Sequence, residues 1–162
     1  MEIEVKIRAL MMDPNSGTPI IILKDVQSDT MLPIWVGSFE ANAIALEIEK
    51  IAPPRPMTHD LLRNLLVELG VQVDRVVVTS LRDNTFFAVI EMRNSDGNRM
   101  VLDSRPSDAI ALALRADCPI YVDMEVIKAS RNSMPDDSEE PELATSEEEW
   151  PDVIGEAGDL PM

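Results

Sequence analysis

The residues best equipped for chemistry gather where loops enter helices: Glu40 at one entrance, His59-Asp60 with Arg63 at a second, and Asp103-Ser104-Arg105-Pro106-Ser107-Asp108 at a third. His59 is the only histidine in the chain. At the first turn of a helix the positive end of the backbone dipole suits a neutral imidazole, fit for general-base work or metal ligation. The same position also takes ordinary helix-start residues, and Asp60 beside it is what the dipole selects in any case. Asp103 and Asp108 with Glu40 offer the oxygen ligands that a hard divalent cation such as Mg²⁺ takes, and each carboxylate serves equally well as a helix cap. Arg105 offers a planar fork for a phosphate, or a structural ion pair with Asp103 or Asp108. The chain has no glycine-rich phosphate loop, no cysteine pair and no Gly-x-Ser-x-Gly elbow, so its chemistry falls to these scattered polar groups.

The elements that must position them can be read from periodicity. Glu2 to Arg8 alternates strictly, with Ile3, Val5 and Ile7 on one face and charged residues on the other, which predicts a half-buried strand. Pro19 to Lys24 and Leu32 to Val36 predict a hairpin. Gly37-Ser38 ends it, and with Ser38 as N-cap a helix runs through Phe39, Ile44, Ile48 and Ile51 to the Pro53-Pro54-Arg55-Pro56 break. Thr58 caps a second helix, His59 to Leu69, with a broad leucine face and Gly70 as its stop. Val71 to Leu81, Phe86 to Arg93 and Arg99 to Leu102 predict three antiparallel neighbours. A third helix starts within residues 104–108 and runs to about Arg115, and Pro119 to Val122 makes a last short strand. Ala43-Ile44-Ala45-Leu46 recurs as Ala109-Ile110-Ala111-Leu112, with Asn42 matching Asp108. Two readings fit the echo, a good buried helix face used twice or an ancient duplication, and both place the two helices on one sheet. The expected class is α+β: a mixed, largely antiparallel sheet packed with about three helices.

Composition divides the chain near Ser130. Before that point lie 19 acidic and 13 basic residues, a balance of −6; after it lie 11 acidic residues and Arg131, a balance of −10. Residues 1–130 are expected to form the domain and 131–162 an acidic, disordered tail, in which Trp150, Val153, Ile154 and Leu160 are candidates for contact with a protein partner. A mildly acidic domain argues against loose, salt-driven nucleic-acid binding and leaves room for a local basic site. The N-terminal segment lacks the basic head and apolar run of a signal peptide, no stretch nears the roughly 18 apolar residues of a spanning helix, and Cys118 has no second cysteine to pair with. The expectation is a cytoplasmic protein with no membrane segment.

Leu32-Pro33-Ile34-Trp35-Val36-Gly37, Glu40 with Ala43-Ile44-Ala45, Arg55-Pro56-Met57-Thr58-His59-Asp60-Leu61 and Asp103-Ser104-Arg105-Pro106-Ser107-Asp108-Ala109-Ile110-Ala111, in this order, resemble the bifunctional nuclease family. The resemblance spans essentially the whole domain. It implies a self-associating α+β domain, a dimer being the simplest form, and hydrolysis of phosphodiester bonds in DNA and RNA. On that reading His59, Asp60, Arg105 and Asp108 are the candidate catalytic groups, with Arg55, Arg63 and Ser107 contacting substrate. Glu40, Asp103 and Asp108 would hold Mg²⁺ or Mn²⁺. The competing reading is a non-catalytic module whose polar helix entrances recognise a small anion or a protein partner. Some relatives carry a further C-terminal helical hairpin; the tail here has no such pattern.

Overall fold

A computed structural model describes residues 1–133. Seven strands, β1 (Glu2–Met12), β2 (Pro19–Asp25), β3 (Met31–Trp35), β4 (Gln72–Arg82), β5 (Thr85–Arg93), β6 (Arg99–Ser104) and β7 (Ile120–Asp123), form one sheet in the order β3-β2-β1-β7-β4-β5-β6. Every pairing is antiparallel except β4 with β7. The helices are α1 (Ser38–Ile48), α2 (Thr58–Glu68), α3 (Pro106–Ala116) and α4 (Met124–Ser133). The class is therefore α+β with a mixed, mostly antiparallel sheet.

The order repeats itself. A three-strand meander followed by a helix occurs as β1-β2-β3-α1 and again as β4-β5-β6-α3, with β7 between the two meanders. The sequence echo falls on the two equivalent helices. Ile44 and Ile110 are fully buried, and α1 and α3 pack on each other as well as on the sheet. Alternation carries Ile21 and Leu23 of β2, Leu32 and Ile34 of β3, Ile90 of β5 and Val122 of β7 into the core. Val76, Val77 and Val78 are buried in succession, which a strand permits only where both of its faces are covered; α3 and α4 both pack against β4.

Four local features differ from expectation. Gly37, not Ser38, is the N-cap of α1, and Met57, not Thr58, is that of α2. The leucine face of α2 is only partly used: Leu66 packs against the core, while Leu61, Leu62, Leu65 and Leu69 stay exposed. α4 is a fourth helix, anchored by buried Val126 and Ile127, and it runs through the boundary drawn at Ser130. The expectations for the acidic segment, including Trp150, Val153, Ile154 and Leu160, fall mostly outside the described residues. No helix among the described residues is long and apolar enough to cross a membrane.

Candidate active-site cleft

The N-termini of α1, α2 and α3 open onto one cleft of about 750 Å³, floored by Ile90 of β5 and bordered by Leu102 of β6. Three helix N-termini give it a positive backbone potential that suits an anion. Along its wall runs a chain of four side chains. His59 Nε2 lies 2.9 Å from Asp108 Oδ1. Asp108 Oδ2 accepts from Arg105 Nε at 2.9 Å, and Arg105 Nη1 reaches Glu40 Oε1 at 3.0 Å. His59 is largely buried and Asp108 partly so, whereas 64% of the Arg105 side chain is exposed. Burial disfavours the Asp108 carboxylate, but hydrogen bonds from Arg105 and His59 outweigh it and hold its carboxyl below the usual range.

Asp60 follows His59 directly but points elsewhere, since consecutive helical residues are turned by about 100°. One of its oxygens accepts the Met57 N–H at 2.9 Å, closing the helix entrance, and the other accepts Arg115 Nε at 2.7 Å. Burial opposes its ionisation, yet those hydrogen bonds win and its carboxyl is also held low. With both oxygens engaged, Asp60 is placed as a structural lock.

Arg115 was not singled out from the sequence, where a basic residue in the last turn of a helix reads as a dipole partner. Its side chain is 4% exposed, and it donates to Ala111 O and Ala43 O at 2.9 Å each, besides Asp60. It thus ties α3 to α1 and to the start of α2 under the cleft. Asn42, the counterpart of Asp108 in the internal echo, also lines the cleft, with its Oδ1 buried and without a hydrogen-bond partner among the described residues. Gly37 matters by what it lacks. A Cβ there would collide with the Glu40 carboxylate, so the bare Cα is the seat in which that carboxylate lies.

The other expected positions do not join the cluster. Asp103 borders the cleft, but alternation along β6 sends its side chain, with that of Val101, to the face opposite Leu102 and Ser104. Ser107 is buried in the first turn of α3 and is not among the cleft residues. Arg63 lines a separate cavity of about 520 Å³ between the C-terminal ends of α2 and α3, and exposed Arg55 lies outside both. Glu40, Asp103 and Asp108 do not fit the role of a shared divalent-cation cage. Among the described residues no three His, Cys, Asp or Glu side chains come together to hold a metal, and Arg105 occupies the space between Glu40 and Asp108. The difference arises because Asp103 is fixed by strand alternation and the other two by a guanidinium.

The low carboxyl values fix an acid dependence. Asp60 and Asp108 have folded-state values below the ordinary ~3.9 of an unfolded Asp. Their contribution to stability is complete above that value and is lost as pH falls through the folded-state value. Thermal melts from pH 7 to pH 3 should show a gap between wild type and Asp60→Asn that is constant down to about pH 5 and closes below about pH 4. A gap unchanged at pH 3 would mean that the carboxylate charge contributes nothing.

Relatives of known sequence place the chain in a family. An uncharacterized protein of Mycobacterium tuberculosis is 39% identical over 138 residues, covering 85% of this chain and 81% of the relative. Proteins named Bifunctional nuclease 1 from Oryza sativa subsp. indica and Arabidopsis thaliana are 25% identical over 122 residues and 28% over 129. These matches cover 74% and 72% of this chain but only 37% and 39% of the plant proteins. The profile of the bifunctional nuclease domain matches residues 21–135, which takes in the whole cleft, and the chain belongs to the bifunctional nuclease domain family.

Proposed function

We propose that the cleft hydrolyses phosphodiester bonds of DNA or RNA, with His59 as the general base. The observation that carries this reading is the linked set Glu40–Arg105–Asp108–His59 along one cleft wall. With Nε2–H donated to Asp108, Nδ1 keeps its lone pair for a proton from water, or from a ribose 2′-hydroxyl in RNA. Asp108 orients the ring and offsets the charge it gains. Arg105 uses two of its five N–H groups on Asp108 and Glu40, leaving others for a phosphate oxygen and the charge that develops in the transition state. The names of the plant relatives support the substrate class. No step is routed through Mg²⁺ or Mn²⁺, because the expected carboxylates do not form a cage.

The test is cleavage of labelled single-stranded DNA and RNA by wild type and Asp108→Asn, each with Mg²⁺, with Mn²⁺ and with EDTA. Cleavage by wild type that Asp108→Asn loses supports the reading. Oligonucleotide binding without turnover in every condition would replace it with a non-catalytic binding module. Equal cleavage by both proteins would place the activity elsewhere.

Gly37 supplies a finer prediction. Gly37→Ala sits at a normal φ of −75° and should cost about 1 kcal/mol or less as an N-cap change, while pushing the Glu40 carboxylate away from Arg105. Cleavage should fall about as far as in Glu40→Ala, and the double variant should fall no further. Additive losses would show that the methyl group acts on the backbone instead.

A further inference from the structure

The cleft has an apolar rim that the hydrolytic chemistry of its polar wall does not use. Phe39, in the first turn of α1, lines the cleft with 91% of its surface exposed, and Met57, Leu62 and Leu102 line it as exposed apolar residues too. A single exposed apolar residue is ordinary, but four around one polar cleft mark a binding surface. The internal echo sharpens the placement, because at its offset Phe39 is the counterpart of Arg105. The two equivalent helices, packed on each other, thus bring an aromatic ring and a guanidinium to one cleft.

We infer that Phe39 is a stacking platform for one unpaired base of the strand whose phosphate meets Arg105. The inference rests on the nuclease reading and adds to it the part of the substrate that the apolar rim takes. Charge selects this occupant. The cleft sets two arginines against Glu40, Asp103 and Asp108, and Arg115 is 4% exposed with its donors engaged. Arg105 is therefore the one arginine of the cleft open to a phosphate among the described residues. Contact with one or two phosphates adds little affinity, since log K on a single strand then falls against log salt with a slope of only about −0.7 to −1.4. A mildly acidic domain needs a further source of binding energy to hold a strand, and a base stacked on an aromatic ring supplies it. Every base has a π-face, so the subsite is open to any sequence. Inside a duplex both faces of a base are covered by its neighbours, so the subsite is closed to an intact double strand.

The test reads binding apart from cleavage. Fluorescence anisotropy of the full chain, in the His59→Ala background so that the probe is not consumed, follows labelled hexathymidylate and the same hexamer stripped of its bases. Phe39→Ala should weaken the base-bearing probe about five- to 150-fold, the range for one base on one aromatic, and the abasic probe by less than about twofold. Phe39→Trp should retain the parent affinity, whereas Phe39→Leu, apolar but without a π-face, should behave as Phe39→Ala. Circular dichroism should show all variants folded, since the ring is 91% exposed. Equal weakening on both probes, parent affinity in Phe39→Leu, or no effect of Phe39→Ala overturns the inference and leaves the nuclease reading in place. A parent that binds neither probe removes both. Binding by wild type without turnover removes the nuclease reading and leaves the stacking site.

Discussion

On the proposed mechanism, replacing His59 with Ala is expected to lower the cleavage rate by about 10²–10⁴, the range set by a positioned general base. Asp108→Asn is expected to fall in the lower half of that range. Asp108 accepts at both oxygens, from His59 at one and from Arg105 at the other. An asparagine offers one acceptor and one NH₂ donor. With its oxygen toward the ring, the NH₂ meets the guanidinium and that contact is lost; with its NH₂ toward the ring, Nε2 must accept, which moves the ring proton to Nδ1 and removes the base. The charge that balances a protonated ring is lost in both cases. Single-turnover cleavage of a fluorescent oligonucleotide, with its binding measured in parallel, separates chemistry from affinity. His59→Ala should bind within about threefold of wild type while losing turnover, the pattern of an interaction made chiefly in the transition state. Equal losses in binding and rate would make His59 a substrate contact, and an unchanged rate would remove it from the mechanism.

What the sequence disclosed and what it hid divide along chain separation. The alternation of β1, the proline and glycine punctuation around α1 and α2, and the Pro106 start of α3 are local signals, and these elements lie close to where local rules put them. α4 escaped because Met124–Ser133 follows β7 without a break and buries only Val126, Ile127 and Ser130, too few positions to show a helical period. In the cleft, polar residues at helix entrances could be recognised as candidates because helix N-termini favour such residues for electrostatic reasons. Their pairing could not. His59 and Asp108 are 49 positions apart, and Arg115 and Ala43 are 72 apart, so only the packing of α1, α2 and α3 brings them together. Asp60 shows the opposite failure: adjacency to His59 suggested a shared task, whereas the helical turn hands its carboxylate to Arg115. Asp103 lines the same cleft as Glu40, His59, Arg105 and Asp108, but a motif written as a string does not show which face of a strand each side chain takes.

That separation makes Arg115 the polar residue of the cleft whose loss should cost most in stability. Its guanidinium is almost fully buried and joins Asp60 of α2, Ala43 O of α1 and Ala111 O of its own helix, with Glu47 at 3.9 Å. Arg115→Met keeps much of the apolar stem but strands the Asp60 carboxylate and removes the second donor from two part-buried helix carbonyls, Ala43 O and Ala111 O. Breaking one partner of a buried ion pair typically costs about 3–5 kcal/mol. Asp60 keeps the Met57 N–H and some solvent contact, so the expected loss lies at the lower end, about 3 kcal/mol. Denaturant unfolding of wild type, Arg115→Met, Asp60→Asn and the double variant measures this directly. The double variant should be less destabilised than the sum of the singles, because removing both charges leaves nothing unpaired. Arg115→Lys should recover little, since one ammonium cannot reproduce a planar fork directed at three acceptors on three helices. If Arg115→Met melts within a degree or two of wild type, the three helices are held by apolar packing alone. His59 would then be fixed against Asp108 by the α2–α3 contact and not by the Asp60–Arg115 lock beneath it.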